Sequence, residues 1–341
     1  MTTTSTTTDD DERPVALSEP VTDPFTTLPD LTPLRDAAQA GDWQATQAFF
    51  TTLDSTENPV ENPVENPVEN SVEKMSFASG QLAGLDGVET YLERAAAEHP
   101  ADPLPRTLLA ERYIRIGWAI RSRARAEHVS RDQFGQFHDW LRRAELLLID
   151  VCAEQPGNAA AWTARLLTAR GLELGQTEAR RRYDRLSAHH PHHFRAQSQL
   201  LQQVCPKWSG SWEDAHSFAR ECVAAAPAGS HAGALVAEAH IEHWAELDGV
   251  EQRTYMRSVS VRDELRAAAR ESVLHPDYAP GWSWIAADSA FALAFSIGGH
   301  VKDAAAHFVS LEDRVSEYQW QYLPGWKAAF VKYRKSALAT L

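Results

Sequence analysis

Two histidines three residues apart, His240 and His243, stand in the segment AHIEHW with Glu238 and Glu242 beside them. On a helix this spacing brings two imidazoles toward one face, the start of a divalent-metal site and of a metal-dependent hydrolase. No HExxH pattern is present and the sequence offers no third ligand. The pair is therefore read as packed or capping histidines, and no catalytic residue, resident metal or cofactor is assigned. The run His189, His190, Pro191, His192, His193 falls at a turn, where surface polar residues are expected. Ser209-Gly210-Ser211 lacks the GxSxG context of a nucleophile, and the acids after it suit a helix start with Ser211 as N-cap. Neither GxGxxG nor GxxxxGK[ST] occurs, so the common nucleotide-binding loops are absent.

Charge supplies a second kind of candidate. Six arginines (112, 115, 121, 123, 125 and 131) face a single acid, Glu127, in one stretch. The expected result is a projecting basic hairpin in which Arg121, Arg123 and Arg125 steer an acidic partner, or the chain's own acidic tail. A second cluster, Arg180, Arg181, Arg182 and Arg185, suits surface pairing with Glu178 and Asp184 on the same helix. The net charge of -14 is misleading until located, because residues 1–30 and 54–73 each contribute -6. The remaining body is nearly neutral, which argues against nucleic acid as a partner, since phosphate binding needs clustered positive charge.

These residues need elements to hold them. Residues 1–30 are rich in Thr, Asp and Pro and are expected to be a disordered acidic tail; they carry neither a basic start nor an apolar core of a signal peptide. Residues 31–54 form a short helix-turn-helix broken at Gly41-Asp42. Residues 55–80 contain ENPV ENPV ENPV ENSV and are expected to be an extended linker, because proline lacks an amide donor and disfavours helix before it. Cys152, Cys205 and Cys222 are an odd set without CxxC spacing, so they are expected to be reduced core residues of a cytoplasmic protein. The most apolar stretch, 282–299, is interrupted by Asp288 and is read as a buried helix, with no membrane partner.

From residue 81 to 341 helix follows helix. Pro156, Pro191 and Pro227 are 35 and 36 residues apart, whereas the units ending at Pro156 and Pro276 carry extra residues. The positions 12, 8 and 5 before four successive prolines are Val88/Leu92/Ala95, Ala144/Leu148/Val151, Ala179/Tyr183/Leu186 and Ala215/Ala219/Cys222. All are apolar or small, and the offsets place each trio on one helix face. The corresponding trio before Pro276, Glu264/Ala268/Glu271, breaks the pattern, and Ala304/Phe308/Leu311 restores it.

With Ala179, Tyr183, Leu186 and Pro191 in place, and Trp162 and Trp282 each six residues after a proline, residues 86–316 resemble the tetratricopeptide family. Arg106, Gln197 and Gly233 depart from that family's tryptophan. The segments PKWSGSWEDAHSFAREC, AHIEHW and GQTEARRRYDRL are also similar to a group of actinobacterial proteins that supplies no activity. The family resemblance implies an all-α fold of stacked antiparallel helical hairpins, an α-solenoid with a concave binding face. Carried onto that face, the family's groove positions become Glu111, Thr163, Arg170, Arg195, Gln202 and Glu238. Most of the tryptophans suit grooves between hairpins, whereas Trp208 and Trp212, in a turn, suit exposed contacts. The sequence is therefore read as a non-enzymatic scaffold or adaptor that binds a protein or peptide, an acidic one suiting its arginines. A ligand-sensing regulatory protein is the remaining alternative to the hydrolase.

Overall fold

The structure, a computed structural model, describes residues 18–54, 67–122 and 128–341. Those residues are all-helical, and their only extended pairing is an isolated bridge between Val21 and Arg314. The chain opens with α1 (Pro24–Thr27), α2 (Thr32–Ala40), α3 (Trp43–Asp54), α4 (Pro67–Ala83) and α5 (Glu89–Glu98). Two long helices follow, α6 (Pro103–Arg121) and α7 (Arg131–Glu154). Next come α8 (Ala159–Gly171), α9 (Gln176–Ser187), α10 (Phe194–Val204), α11 (Trp212–Ala225) and α12 (Gly233–Glu246). The chain continues through α13 (Gly249–Tyr255), α14 (Val259–Glu271), α15 (Trp284–Ile297), α16 (Val301–Leu311), α17 (Glu317–Trp320) and α18 (Trp326–Leu338).

The helix starts are set by side chains that accept from otherwise unpaired amides. Asn158 caps α8 at the Ala161 amide, Ser211 caps α11 at the Asp214 amide, and Ser130 and Gln133 form a reciprocal capping box at α7. Each helix from α5 to α12 packs on the next, and α6, α8, α10, α12 and α15 also pack on one another in that order. They form an inner row flanked by α7, α9, α11, α14 and α16. All twelve residues of the four apolar trios are buried, none more than 7% exposed. Before Pro276 the buried face is shifted by one residue, to Leu265, Ala269 and Ser272. The three cysteines are buried and unbridged, and no helix among the described residues is long and apolar enough to cross a membrane.

Three expectations change. Residues 18–30 are built into the fold rather than part of a tail: Val21 exchanges backbone hydrogen bonds with Asp313 and Val315, Asp23 caps α1, and Phe25 and Leu31 are buried. Residues 67–80, assigned to the linker, are helical. Pro67 is the last proline of the ENPV run and occupies the first turn of α4, where a missing amide costs nothing; the fourth unit has Ser71 in its place, so the helix can propagate. Residues 1–17 and 55–66 lie outside the described residues. The third change concerns the basic stretch, whose extra length lies in α6 and α7 and whose first arginines are spent on contacts inside the fold. Arg112 is buried against Asp86 and Glu89, and Arg115 donates to the Gly80 carbonyl.

The second arginine cluster divides. Arg180 and Arg181 pair on the surface with Asp184 and Glu178, as expected. Arg182, also bonded to Glu178, is buried and reaches Glu145 of α7 at 2.8 Å, where Arg165 of α8 also binds at 2.7 Å. One carboxylate thus joins three successive helices. Removing it leaves two buried guanidinium groups short of their shared counter-charge, and a broken buried pair costs about 3–5 kcal/mol. Glu145→Ala is expected to lower unfolding free energy by about that amount in urea titration, whereas Asp184→Ala should change it by less than about 1 kcal/mol.

Candidate functional site

The inner row does not close on itself. Between it, α4 on one side and the α17 region on the other lie two adjoining chambers of 990 and 370 Å³. Both volumes fall in the range of small-ligand and peptide pockets. Trp118, Arg170 and Tyr318 line both chambers and therefore mark their junction. The larger chamber is completed by Arg121, Gln202, Lys207, Trp208 and Tyr322 among others, the smaller by Glu111, Arg115, Thr163, Arg195 and Glu238.

Arg170 is the centre of this arrangement. It is 8% exposed, and its Nη1 and Nη2 donate to the backbone oxygen of Gln199 at 3.1 Å and to its side-chain oxygen at 2.7 Å. The guanidinium lies 5.7 Å from the Trp118 ring and 5.8 Å from the Trp208 ring, and the two indoles meet edge to face at 6.1 Å. No carboxylate forms an ion pair with Arg170 among the described residues. Burial lowers its pKa from the usual guanidinium value, with the nearby Tyr318 and Glu242 acting against that shift.

Two glutamates of α12 organise the opposite wall. Glu238, 4% exposed, accepts from Ser198 at 2.7 Å and from Gln319 at 3.2 Å. Burial pushes its carboxyl up to about 7 against these two hydrogen bonds. One turn further on, Glu242 accepts from Gln202 at 2.5 Å, from Lys207 at 2.6 Å and from the Tyr322 hydroxyl. Through Gln319 and Tyr322 these carboxylates hold the α17 region over the cavity. Tyr318 keeps 40% of its surface open, yet its hydroxyl is pushed well above its usual value by desolvation. A ring wetted by a deep chamber but surrounded by protein behaves in this way. On the other side α4 is pinned by Arg195, which donates to the Ser76 carbonyl, and by Glu73, which accepts from the Phe194 amide at 2.5 Å.

All six groove positions implied by the family resemblance, Glu111, Thr163, Arg170, Arg195, Gln202 and Glu238, line these chambers, as do Arg121 and Trp208. Arg123 and Arg125 lie outside the described residues. Trp212 is elsewhere, stacked on His243 at 4.4 Å with an interplanar angle of 6°. The site residues that the sequence reading did not place in the groove are Trp118, Arg115, Lys207, Tyr318 and Tyr322. Trp118, counted as a groove filler, occupies the phase of α6 that follows Glu111 and Arg115 at steps of four and three, which is the signal that could have found it.

His240 and His243 do not form a metal site. His240 Nδ1 meets the Tyr255 hydroxyl at 2.8 Å and its Nε2 meets Glu264 at 3.1 Å, while His243 Nδ1 meets His216 at 3.1 Å. Their ring nitrogens are engaged by Tyr255, Glu264 and His216, and no group of three or more metal-binding side chains is arranged for an ion among the described residues. Burial and the neighbouring histidines hold His216 down to about 3. Ser211 is a helix cap and Ser209, at φ 69°, a turn residue; neither is placed as a nucleophile.

Searches against protein-family models, curated proteins and solved structures find no match for the chain. The buried carboxyl of Glu238 nonetheless has a measurable consequence. Its folded value of about 7 lies above the ordinary 4.5, so between those values the folded chain holds a proton that the unfolded chain has released. Its contribution is therefore full below pH 4.5 and declines as pH rises through 7. Glu238→Gln removes this dependence and should gain about 1–3 kcal/mol on the wild type between pH 4.5 and pH 8 in paired urea titrations. Parallel curves would mean that Glu238 titrates as an ordinary surface carboxyl.

Proposed function

We propose that this chain is a tetratricopeptide-like binding protein, a stack of antiparallel helical hairpins whose concave side receives a segment of another protein. The observation that carries this reading is the convergence of six positions, carried over from the groove of the family that the sequence resembles, onto one pair of adjoining chambers. The lining is rich in indole, phenol, guanidinium and amide groups, which recognise peptides through stacking and hydrogen bonds. A chamber of 990 Å³ accommodates a few residues of a bound segment, with α4 and the α17 region enclosing them, and not a whole amphipathic helix. The protein then acts as an adaptor, and the cytoplasm suits its reduced, unbridged cysteines. The histidines on which the hydrolase reading rests are already engaged by Tyr255, Glu264 and His216.

The test is selection of a random peptide library displayed on phage, using the immobilised full chain. Enriched sequences are expected to share a short motif and to bind the chain in solution with a Kd on the order of micromolar. Trp208→Ala, at the chamber rim, should weaken that binding about tenfold or more without altering the circular dichroism spectrum. Failure of any sequence to enrich, or equal binding by the variant, would remove the concave cavity as a peptide receptor.

A further inference from the structure

Arg170 is a buried cation with unused hydrogen-bonding capacity at the junction of two chambers. A guanidinium carries five N–H groups, and Gln199 takes two of them. The remaining donors and the planar charge have no carboxylate at ion-pair distance among the described residues. Buried arginines elsewhere in this chain are treated differently. Arg182 and Arg165 share Glu145, and Arg112 has Asp86 and Glu89. Arg170 instead donates to both oxygens of Gln199 and lies 5.7 and 5.8 Å from two indole rings, contacts that hold the group without a carboxylate at ion-pair distance.

We propose that the chambers bind a monocarboxylate, its carboxyl group on Arg170 and its apolar body against Trp118 and Trp208. This deepens the peptide-binding reading by naming the group recognised. A carboxylate matches the two parallel N–H vectors of a guanidinium edge. The charge of the lining selects the ligand's valence. Arg115, Arg121, Arg170, Arg195 and Lys207 are cationic, Glu111, Glu173, Glu238 and Glu246 are acidic, and Glu242 takes up the charge of Lys207, so the surroundings of the chambers are balanced as a whole. A single negative charge placed on Arg170 suits that balance, while a phosphate dianion or a polyanion would meet four carboxyl groups around the same space. Lys207 is already committed to Glu242 at 2.6 Å, which leaves the recognition to Arg170. The edge-to-face indoles form a corner suited to a flat or branched apolar group beside the carboxyl.

The same chemistry is offered by a free carboxylic acid and by a peptide, through its C-terminus or an acidic side chain, and the experiment separates these sources. Phenylacetate and 3-phenylpropionate are titrated against the full chain and compared with their amides, following tryptophan fluorescence with Trp208→Phe to assign the signal. Peptides with free and amidated C-termini form the second arm. The acids are expected to bind at least about tenfold more tightly than the amides, a preference that vanishes in Arg170→Gln. Equal binding of acid and amide, binding of neither acid up to its solubility, or an acid preference that survives Arg170→Gln overturns the assignment. Should Arg170→Gln fail to fold, the acid-to-amide ratio in the wild-type protein decides alone. Selected peptides that bind equally well when both their acidic side chains and C-terminus are neutralised would sink the carboxylate and leave the peptide receptor standing. Small acids that bind where no peptide does would have the opposite meaning.

Discussion

The close approach of consecutive helices is the constraint from which the rest of this structure follows. Ala144, Ala179, Ala215 and Ala304 stand at the same phase of four outer helices and are all buried, so that each outer helix can lie close on its inner neighbour. A larger residue at those points would push the helices apart, and the Leu, Tyr, Val and Phe residues one or two turns away would lose their contacts. Burial of each outer face leaves the inner helices enclosed between rows. Their remaining exposed side is narrow, faces the same way in each unit, and becomes the wall of the cavity.

That geometry explains why polar residues on the inner helices are both buried and available. Glu111, Thr163, Arg170, Gln202 and Glu238 are each less than a tenth exposed, although they face space rather than packed side chains. Burial of this kind is costly unless hydrogen bonds replace water. Ser198 and Gln319 perform that role for Glu238, and Gln202, Lys207 and Tyr322 perform it for Glu242. The consequence is architectural as well as electrostatic. The residues that satisfy the two carboxylates come from α10, from the turn after it and from the α17 region, so the polar network itself fastens the cover to the wall.

Much of this was legible in the sequence where a residue's neighbours lie within its own repeat. The outer trios, the break at Gly41-Asp42 and the Ser211 cap depend on local spacing and on short-range hydrogen bonds, and each stands as read. The contacts between distant segments were hidden. Nothing near Arg182 announces Glu145, 37 residues earlier, and the strongly charged helix around it looked like a solvated face. Residues 18–30 resembled a tail because their anchor, Val21 against Asp313 and Val315, lies at the far end of the chain. Helix α4 was obscured by the prolines before it, although the loss of proline at Ser71 and the small, buried Ser76, Ala78 and Ser79 mark where a helix can form and settle into a groove.

The position of α4 bears directly on the proposed use of the cavity. In an open array of helical hairpins the groove faces solvent along its length, and specificity is spread over many weak contacts. Here α4 packs on α6, α8 and α10, and Phe77 meets Trp282 edge to face at 6.1 Å. Gly80 allows the Arg195 guanidinium to cross, since a Cβ there would stand 2.4 Å from Arg195 Nη2. On the proposed reading, the chain's own helix thus fills space that a long partner helix would need. What remains is a half-open, partly aromatic space with Arg170 at its junction, a shape that would concentrate the proposed recognition on a few groups. Binding energy in such a site comes from desolvated, preorganised contacts rather than from area. Arg170, already dehydrated and oriented by Gln199 and two indoles, incurs little further cost when an anion arrives.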